Sequence, residues 1–404
     1  VRNTFIAFPR LDFADEKAKL LAISVSLYSG AVNRGCAMSA RRVKGFALFG
    51  LLGLLVVAGA VAFLGRDRIA VAIFQRALAE NLQGDPIGAL PDGLHVGLCG
   101  SGSPMPDQTR NGPCTMVIAG SRVFIVDAGD GAAKGLALMG FMPARAEAVL
   151  LTHFHSDHID GLGAVLLQRW AGGAAASPLP VFGPPGVETV VAGFNQAYAL
   201  DRGYRVAHHG EATVPPGGFG GAARSFTPAA GGAETPVLQG DGLTITAFAV
   251  NHSPVEPAVG YKFTYKGRSV VISGDTEPTP GVAAAAKGAD VIVHEALAAN
   301  LVGMQQAAAK KAGRDNLAKV FFDIPDYHTT PQQAADIAQQ AGAKVLVLNH
   351  IVPALPLRIL EGPFLGDARK RFDGRLILGR DGDFISLPAN SEAVEISKRS
   401  SAAR

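Results

Sequence analysis

Leu150-Leu-Thr-His-Phe-His-Ser-Asp-His-Ile-Asp-Gly161 gathers His153, His155, Asp157 and His158 into a span of six residues. Few sequences place three imidazoles and a carboxylate so close together without a metal to hold. The preceding run Ala148-Val149-Leu150-Leu151 is apolar and predicts a buried strand, so the cluster sits at a strand's C-terminal end, where a loop turns the four side chains toward one point. Alternation lets His153 and His155 face one metal while Asp157 and His158 face another. Two metals then share one short loop.

The residue types suit hydrolysis. Zinc takes imidazole nitrogen and carboxylate oxygen, and an open coordination position holds a water whose pKa falls to about 7. A second metal roughly 3.5–4 Å away would clamp the attacking and leaving oxygens of an ester. Four ligands cannot close two such shells, so others are expected elsewhere in the chain. His252 follows the alternating strand Leu243-Thr-Ile-Thr-Ala-Phe-Ala-Val250, Asp275 ends Ser269-Val-Val-Ile-Ser-Gly274, and His350 ends Lys344-Val-Leu-Val-Leu-Asn349. An anionic Asp275 between two cations offsets their repulsion and is the natural bridge. Manganese or iron could replace zinc, because His/Asp shells accept several divalent ions.

These residues resemble the metallo-β-lactamase superfamily, over about Leu94 to Leu387. Gly100-Ser-Gly-Ser-Pro-Met-Pro106, Arg110-Asn-Gly-Pro-Cys114, Val126-Asp-Ala-Gly-Asp130, Ser273-Gly-Asp-Thr276, His294-Glu-Ala296 and His328-Thr-Thr-Pro331 are similar to its ribonuclease Z-like group. Pro178-Leu-Pro-Val-Phe-Gly-Pro-Pro-Gly186 and Asn195-Gln-Ala-Tyr-Ala-Leu-Asp201 look more like that group's arylsulfatase-like members. The resemblance implies one metal on His153, His155 and His252, the other on Asp157, His158 and His350, and Asp275 bridging. Asp157 would also orient the attacking hydroxide, and His328 would protonate or stabilise the leaving oxygen. A small sulfate or phosphate ester is the expected substrate, with lactones or β-lactams next and RNA third.

Two features weigh against transfer RNA as a partner. In tRNA-processing members the resemblance places a long basic arm between the positions of His252 and Asp275, whereas that interval here is short. Residues 91–404 carry 26 basic and 28 acidic side chains, which offers a polyanion no net attraction.

Other residues divide into supporting and bland roles. Asp127, after the strand Arg122-Val-Phe-Ile-Val126, is expected to hydrogen-bond the ligand loop, and His294 and Glu295 either orient a ligand or His328 or are buried polar residues. Around His328, Thr330 and Gln333 form a capping box with Pro331 in the first helical turn, so helix-start chemistry alone could explain the pattern. His95 and the pair His208-His209 are read as hydrogen-bonded loop residues. Gly100-Ser-Gly-Ser-Pro104 lacks the Walker lysine and the P-loop glycine spacing, and is read as a turn beside the site.

The N-terminal part reads differently. Residues 45–65 carry no charge and are long enough to cross a bilayer, with Arg41, Arg42 and Lys44 ahead of them. This predicts a single-pass inner-membrane anchor with the catalytic part in the periplasm, or a cleaved and secreted form. Met38-Ser-Ala-Arg-Arg-Val-Lys44 would be the true start and residues 1–37 a disordered upstream extension. Residues 38–93 form the anchor and a linker helix, 94–388 the hydrolase domain, and 389–404 a disordered tail. Cys36 falls outside the mature fold, while Cys99 and Cys114 either pair or remain buried thiols. The sequence carries no signal for oligomeric state.

A hydrophobic content of 48% is ample for the core of one α/β domain. Strands are expected near 94–99, 115–119, 122–127, 147–152, 243–250, 259–265, 269–274, 290–294, 344–349 and 375–387, with helices near 160–170, 297–312 and 331–341. This order fits a four-layer αββα sandwich with every proposed ligand at one shared edge. Residues 171–240 interrupt the scheme and are expected to wall or cover the metals, with Trp170, Phe194, Tyr198 and Tyr204 as candidates for an apolar substrate pocket.

Overall fold

The computed structural model describes residues 40–399. The chain divides into two compact units, residues 1–83 and 84–404. The described part of the first is one helix, Ala40–Gln83, of 44 residues. It does not end with the uncharged stretch but continues through Arg66, Asp67 and Arg68, and its apolar half is diluted by Gly50, Gly53, Gly59 and Gly65. Among the described residues no helix is long and apolar enough to cross a membrane, so the anchor expected at residues 45–65 is not supported. The extension proposed for residues 1–37 lies outside the described residues.

Among its described residues the second unit carries fifteen strands in two sheets. In chain order these are β1 Gly93–Gly100, β2 Cys114–Ala119, β3 Arg122–Val126, β4 Ala146–Leu150, β5 Leu179–Gly183, β6 Gly221–Ser225, β7 Thr235–Gly240 and β8 Leu243–Val250. They continue as β9 Ala258–Tyr265, β10 Arg268–Ile272, β11 Val291–Leu297, β12 Val345–Val352, β13 Arg375–Leu378, β14 Asp383–Pro388 and β15 Glu395–Lys398. One sheet has the order β15-β14-β1-β2-β3-β4-β5-β6, the other β13-β12-β11-β10-β9-β8-β7.

Strand alternation sorts the core into three apolar layers. Leu94, Val96, Leu98, Phe124 and Val126 of the first sheet meet Ile245, Tyr261, Val270, Val293 and Val347 of the second. The opposite face of the first sheet, with Met116, Ile118 and Ile125, packs under the helix Leu162–Ala171 through Leu162, Val165 and Leu166. Leu346, Leu348 and Ile292 of the second sheet pack under the helix Pro331–Ala341 through Ala334, Ala335 and Ala338. Period-two burial of this kind gives each strand an apolar residue for both neighbours. The result is the expected αββα order.

Several boundaries differ from expectation. The segment 375–387 is two strands in different sheets, because Arg380-Asp-Gly382 turns the chain between them; Gly382 takes a φ of 87° that a side chain resists. Residues 171–240 contribute β5, β6 and β7 and extend both sheets, rather than forming a wall over the site. The tail is ordered as far as described: β15 pairs with β14 from Asp383↔Lys398 to Ser386↔Glu395. Buried Arg268, salt-bridged to Asp290 at 3.1 Å, also donates to the carbonyls of Pro388, Ser391 and Ala393. Buried guanidinium donors need such partners, and here the tail supplies them. Cys99 and Cys114 are joined as a disulfide between β1 and β2.

Candidate metal centre

Several candidate ligands are delivered by local irregularities in the backbone. His155 precedes the one-turn helix Ser156–Ile159, which buries Asp157 and His158 on its inner side. Asp127 follows β3 with a φ of 58°, a left-handed conformation that turns its carboxylate under the ligand loop. Gly274, φ 64°, turns the chain after β10 so that Asp275 points inward; a Cβ there would lie 2.8 Å from the Val259 carbonyl oxygen. His350 does not end a strand but sits inside β12. The β11–β12 register steps from Glu295↔Asn349 to Ala296↔Ile351, leaving His350 as the bulged residue with a φ of 46°. Leu346, Leu348 and Ile351 all face the helical layer, which is the one-residue slip expected of a bulge that re-aims a side chain.

The seven expected ligands converge. Among the described residues, His153, His155, His252 and Asp275 present ligand atoms all within 4.8 Å of one another, and Asp157, His158 and His350 form a second such set. His155 Nδ1 lies 3.1 Å from His153 Nε2 and 3.2 Å from His252 Nε2. Asp275 Oδ2 is 3.2 Å from the Nε2 atoms of both His158 and His350, and 3.9 Å from that of His153. Asp157 Oδ2 is 3.1 Å from His350 Nε2 and 3.5 Å from His158 Nε2. Asp275 thus stands between the two sets.

Hydrogen-bond bookkeeping shows what these atoms lack. Thr152 Oγ1 donates to Asp127 Oδ2 at 2.8 Å, so it accepts from His153 Nδ1 at 3.0 Å, and His153 Nε2 is left as a bare lone pair. His252 Nδ1 donates to the Tyr327 carbonyl at 2.9 Å, which bares its Nε2 likewise. His158 Nδ1 donates to Asp127 Oδ2 at 2.8 Å, so its Nε2 is the nitrogen turned to the carboxylates of Asp275 and Asp157, which it can meet as an imidazolium N–H or through a metal cation. Asp275 Oδ1 is buried with no hydrogen-bond partner among the described residues. Where these imidazole nitrogens and carboxylate oxygens converge, a proton or a metal cation must lie between them, and a set of imidazole and carboxylate ligands fits a divalent metal.

Electrostatics divides the two sets. Burial holds the imidazoles of His153 and His155 below their ordinary pKa, and takes His252 down to about 4. Burial also opposes charge on His158 and His350, but Asp275 and Asp157 outweigh it and raise both. Asp275 is held well below the carboxylate range: burial pushes it up, and His350 and His158 more than compensate.

The supporting residues have definite partners. Asp127 Oδ1 accepts the Thr152 backbone N–H at 2.8 Å while Oδ2 holds His158, so one carboxylate fixes both ends of the ligand loop. His328 Nδ1 lies 3.2 Å from Glu295 Oε1, which also accepts the Thr329 N–H at 2.7 Å. The His328 ring stacks on His350 with centroids 5.4 Å apart. His294 bonds the Glu295 carbonyl at 2.8 Å and reaches neither metal set. The Thr330–Gln333 capping box is present, so helix start and site placement coexist there. His95 bonds Ser386 and Pro91, far in role from the cluster.

The substrate-side wall is not the one expected. Trp170 is fully buried and donates to the Pro215 carbonyl, Phe194 and Tyr198 line a separate small cavity, and Tyr204 is exposed. The cavity that opens on His155, Asp157, Asp275, His328 and His350 measures about 600 Å³ and is walled by Met105, Leu317, Val320, Phe321, Ile324 and Tyr327. Most of that wall comes from the helix Asp315–Asp323 and the turn after it, a segment left unassigned in the sequence. A signal was there: Leu317, Val320, Phe321 and Ile324 stand at i, i+3, i+4 and i+7, an amphipathic stripe.

Comparison with known proteins agrees with this geometry. The profile of a family described as a beta-lactamase superfamily domain matches residues 122–351. Ribonuclease Z of Mycobacterium avium (strain 104) is 38% identical over 300 residues, covering 74% of this chain and 100% of that protein. The crystal structure of the metallo-beta-lactamase fold protein YhfI from Bacillus subtilis superimposes with a TM-score of 0.52 at 20% identity, covering 73% of this chain and 100% of that one. Human tRNase Z, short form, gives a TM-score of 0.52 at 22% identity, covering 73% and 99%. These two structures share the fold.

The expectation of a small-molecule ester as partner, with transfer RNA disfavoured, is overturned by the ribonuclease Z relative at 38% identity over its whole length. Net charge averages over the whole surface, whereas the charge that meets a phosphodiester is local to the metal site, so the near-neutral balance was a poor guide. The arylsulfatase-like reading gives way with it. The chain is a metal-dependent hydrolase acting on ester bonds. On the matched profile, the full-length relative and the shared fold, it belongs to the metallo-β-lactamase superfamily, in its ribonuclease Z-like branch.

Proposed function

We propose that the chain is a dizinc phosphodiesterase that cleaves RNA, with His153, His155 and His252 holding one ion, Asp157, His158 and His350 the other, and Asp275 shared between them. The observation that carries this reading is the convergence of imidazole nitrogens from His153, His155, His252, His158 and His350 around Asp275, whose buried Oδ1 has no hydrogen-bond partner among the described residues. When bound, such ions supply a water of lowered pKa and positive charge for the phosphate oxygens.

The chain's own residues then position and move protons. Asp127 keeps His158 and Thr152 fixed, so the ligand loop needs no rearrangement when substrate arrives. Asp157, held by His350 at 3.1 Å, is placed to orient the nucleophile. With its Nδ1–H donated to Glu295, His328 can give a proton from Nε2 to the leaving oxygen only as the imidazolium, whose charge the Glu295 carboxylate balances, and it is left as the neutral Nδ1–H tautomer.

Incubating the zinc-loaded protein with a transfer RNA precursor, single-stranded RNA and bis(4-nitrophenyl) phosphate tests the reading. RNA cleavage that requires metal and disappears in Asp275→Ala supports it. Metal-loaded protein that cuts the generic diester but no RNA would refute the RNA assignment and leave the phosphodiesterase.

A further inference from the structure

We infer that the cavity beside the metal centre is a subsite for one unpaired nucleobase adjoining the scissile phosphodiester, with Gln305 reading the base edge. The inference rests on the RNA reading above and specifies which part of the RNA the chain holds. Four observations lead to it.

The cavity, about 600 Å³, adjoins His155, Asp157, Asp275, His328 and His350, so whatever fills it is attached to the reacting group. A volume in this range accepts one nucleoside-sized group rather than a duplex. Its lining includes no lysine or arginine, so it offers nothing to a second phosphate and suits the uncharged part of a nucleotide. Phe321 and Tyr327 supply flat faces among Leu317, Val320 and Ile324, and base stacking on such side chains tolerates any base.

The fourth observation is polar. Gln305 lies on the helix Ala299–Lys311 and lines the same cavity, and its buried Oε1 has no hydrogen-bond partner among the described residues. A buried amide oxygen without a donor is costly, and the exocyclic amine of adenine or cytosine would satisfy it. Stacking therefore gives affinity, and Gln305 gives a preference for amine-bearing edges over uracil.

The rim residue Leu317 is 36% exposed, so replacing it leaves the core intact. The experiment uses a short oligoribonucleotide carrying 2-aminopurine, whose fluorescence is quenched on stacking, with the full chain both metal-free and zinc-loaded. Saturable quenching is expected, weakened about tenfold by Phe321→Ala and about twofold by Leu317→Ala. AMP should displace the probe about tenfold better than UMP, a gap that Gln305→Ala closes. Absence of quenching by a protein that cuts RNA would overturn the subsite and spare the RNA reading. Quenching by a protein that cuts no RNA would do the reverse. Equal displacement by AMP and UMP would remove the role given to Gln305.

Discussion

Asp127 Oδ2 accepts the Nδ1–H of His158 at 2.8 Å, and this one contact decides which face of the imidazole the metal meets. The same carboxylate takes both the N–H and the hydroxyl of Thr152 at 2.8 Å, and the hydroxyl in turn accepts from His153. One acidic side chain thereby sets the tautomer of a histidine in each ligand set. Asp127→Asn keeps the shape but turns an amide N–H2 against one of these donors. Metal affinity should fall about 10- to 100-fold with the fold retained, as read by competition with a chelating dye. Unchanged affinity would mean that Asp127 is merely a turn residue.

Asp275 and His328 should separate binding from turnover. Asp275→Ala removes the carboxylate shared by both sets, and both metal content and hydrolysis should be lost. His328→Ala should retain metal and slow turnover by about a hundredfold or more. Elemental analysis beside rate measurements distinguishes them, and equal metal loss in the two variants would erase the division of roles.

Protons and metal should compete at one set only. His153, His155 and His252 have pKa values lowered by burial, His252 to about 4, so at pH 7 they are neutral and surrender no proton to an incoming cation. His158 and His350 are raised by Asp275 and Asp157 against the effect of burial, so a cation there displaces protons. Affinity at that set therefore falls as pH drops and rises as pH increases through neutrality. Zinc calorimetry in two buffers of different ionisation enthalpy should find almost no proton release for the first equivalent and about one proton or more for the second. Identical release for both would contradict the asymmetry.

Gly274 tests the backbone geometry. Its φ of 64° and the Val259 oxygen 2.8 Å from a built Cβ leave no room for a side chain. Gly274→Ala should lower stability by about 1–3 kcal/mol and weaken metal binding, since Asp275 must shift with it. Denaturant unfolding monitors the first effect and metal analysis the second; an unperturbed variant would show that the turn is not what aims Asp275.

Much of this centre was readable from residue order alone, because a ligand cluster after one strand and single ligands after others is a pattern that needs no tertiary information. His350 was readable as a candidate but not as a bulge: the slip becomes visible only when β12 is registered against β11. The cavity wall was missed although its helical stripe was present, since a short stripe with one face exposed does not announce what it faces. The segment 171–240 misled for the opposite reason. Its glycines and prolines read as a loop, yet β5, β6 and β7 are paired by neighbours far away in sequence. The uncharged stretch at 45–65 is not supported as a membrane span, since among the described residues no helix is long and apolar enough to cross a membrane.

Diffraction from zinc-loaded crystals at the metal absorption edge tests the central claim most directly. Two anomalous peaks are expected, one among His153 Nε2, His155 Nδ1 and His252 Nε2, the other beside Asp157, His158 and His350, both within reach of Asp275. A map with no peak at these atoms, or with metal bound only elsewhere, would contradict the account.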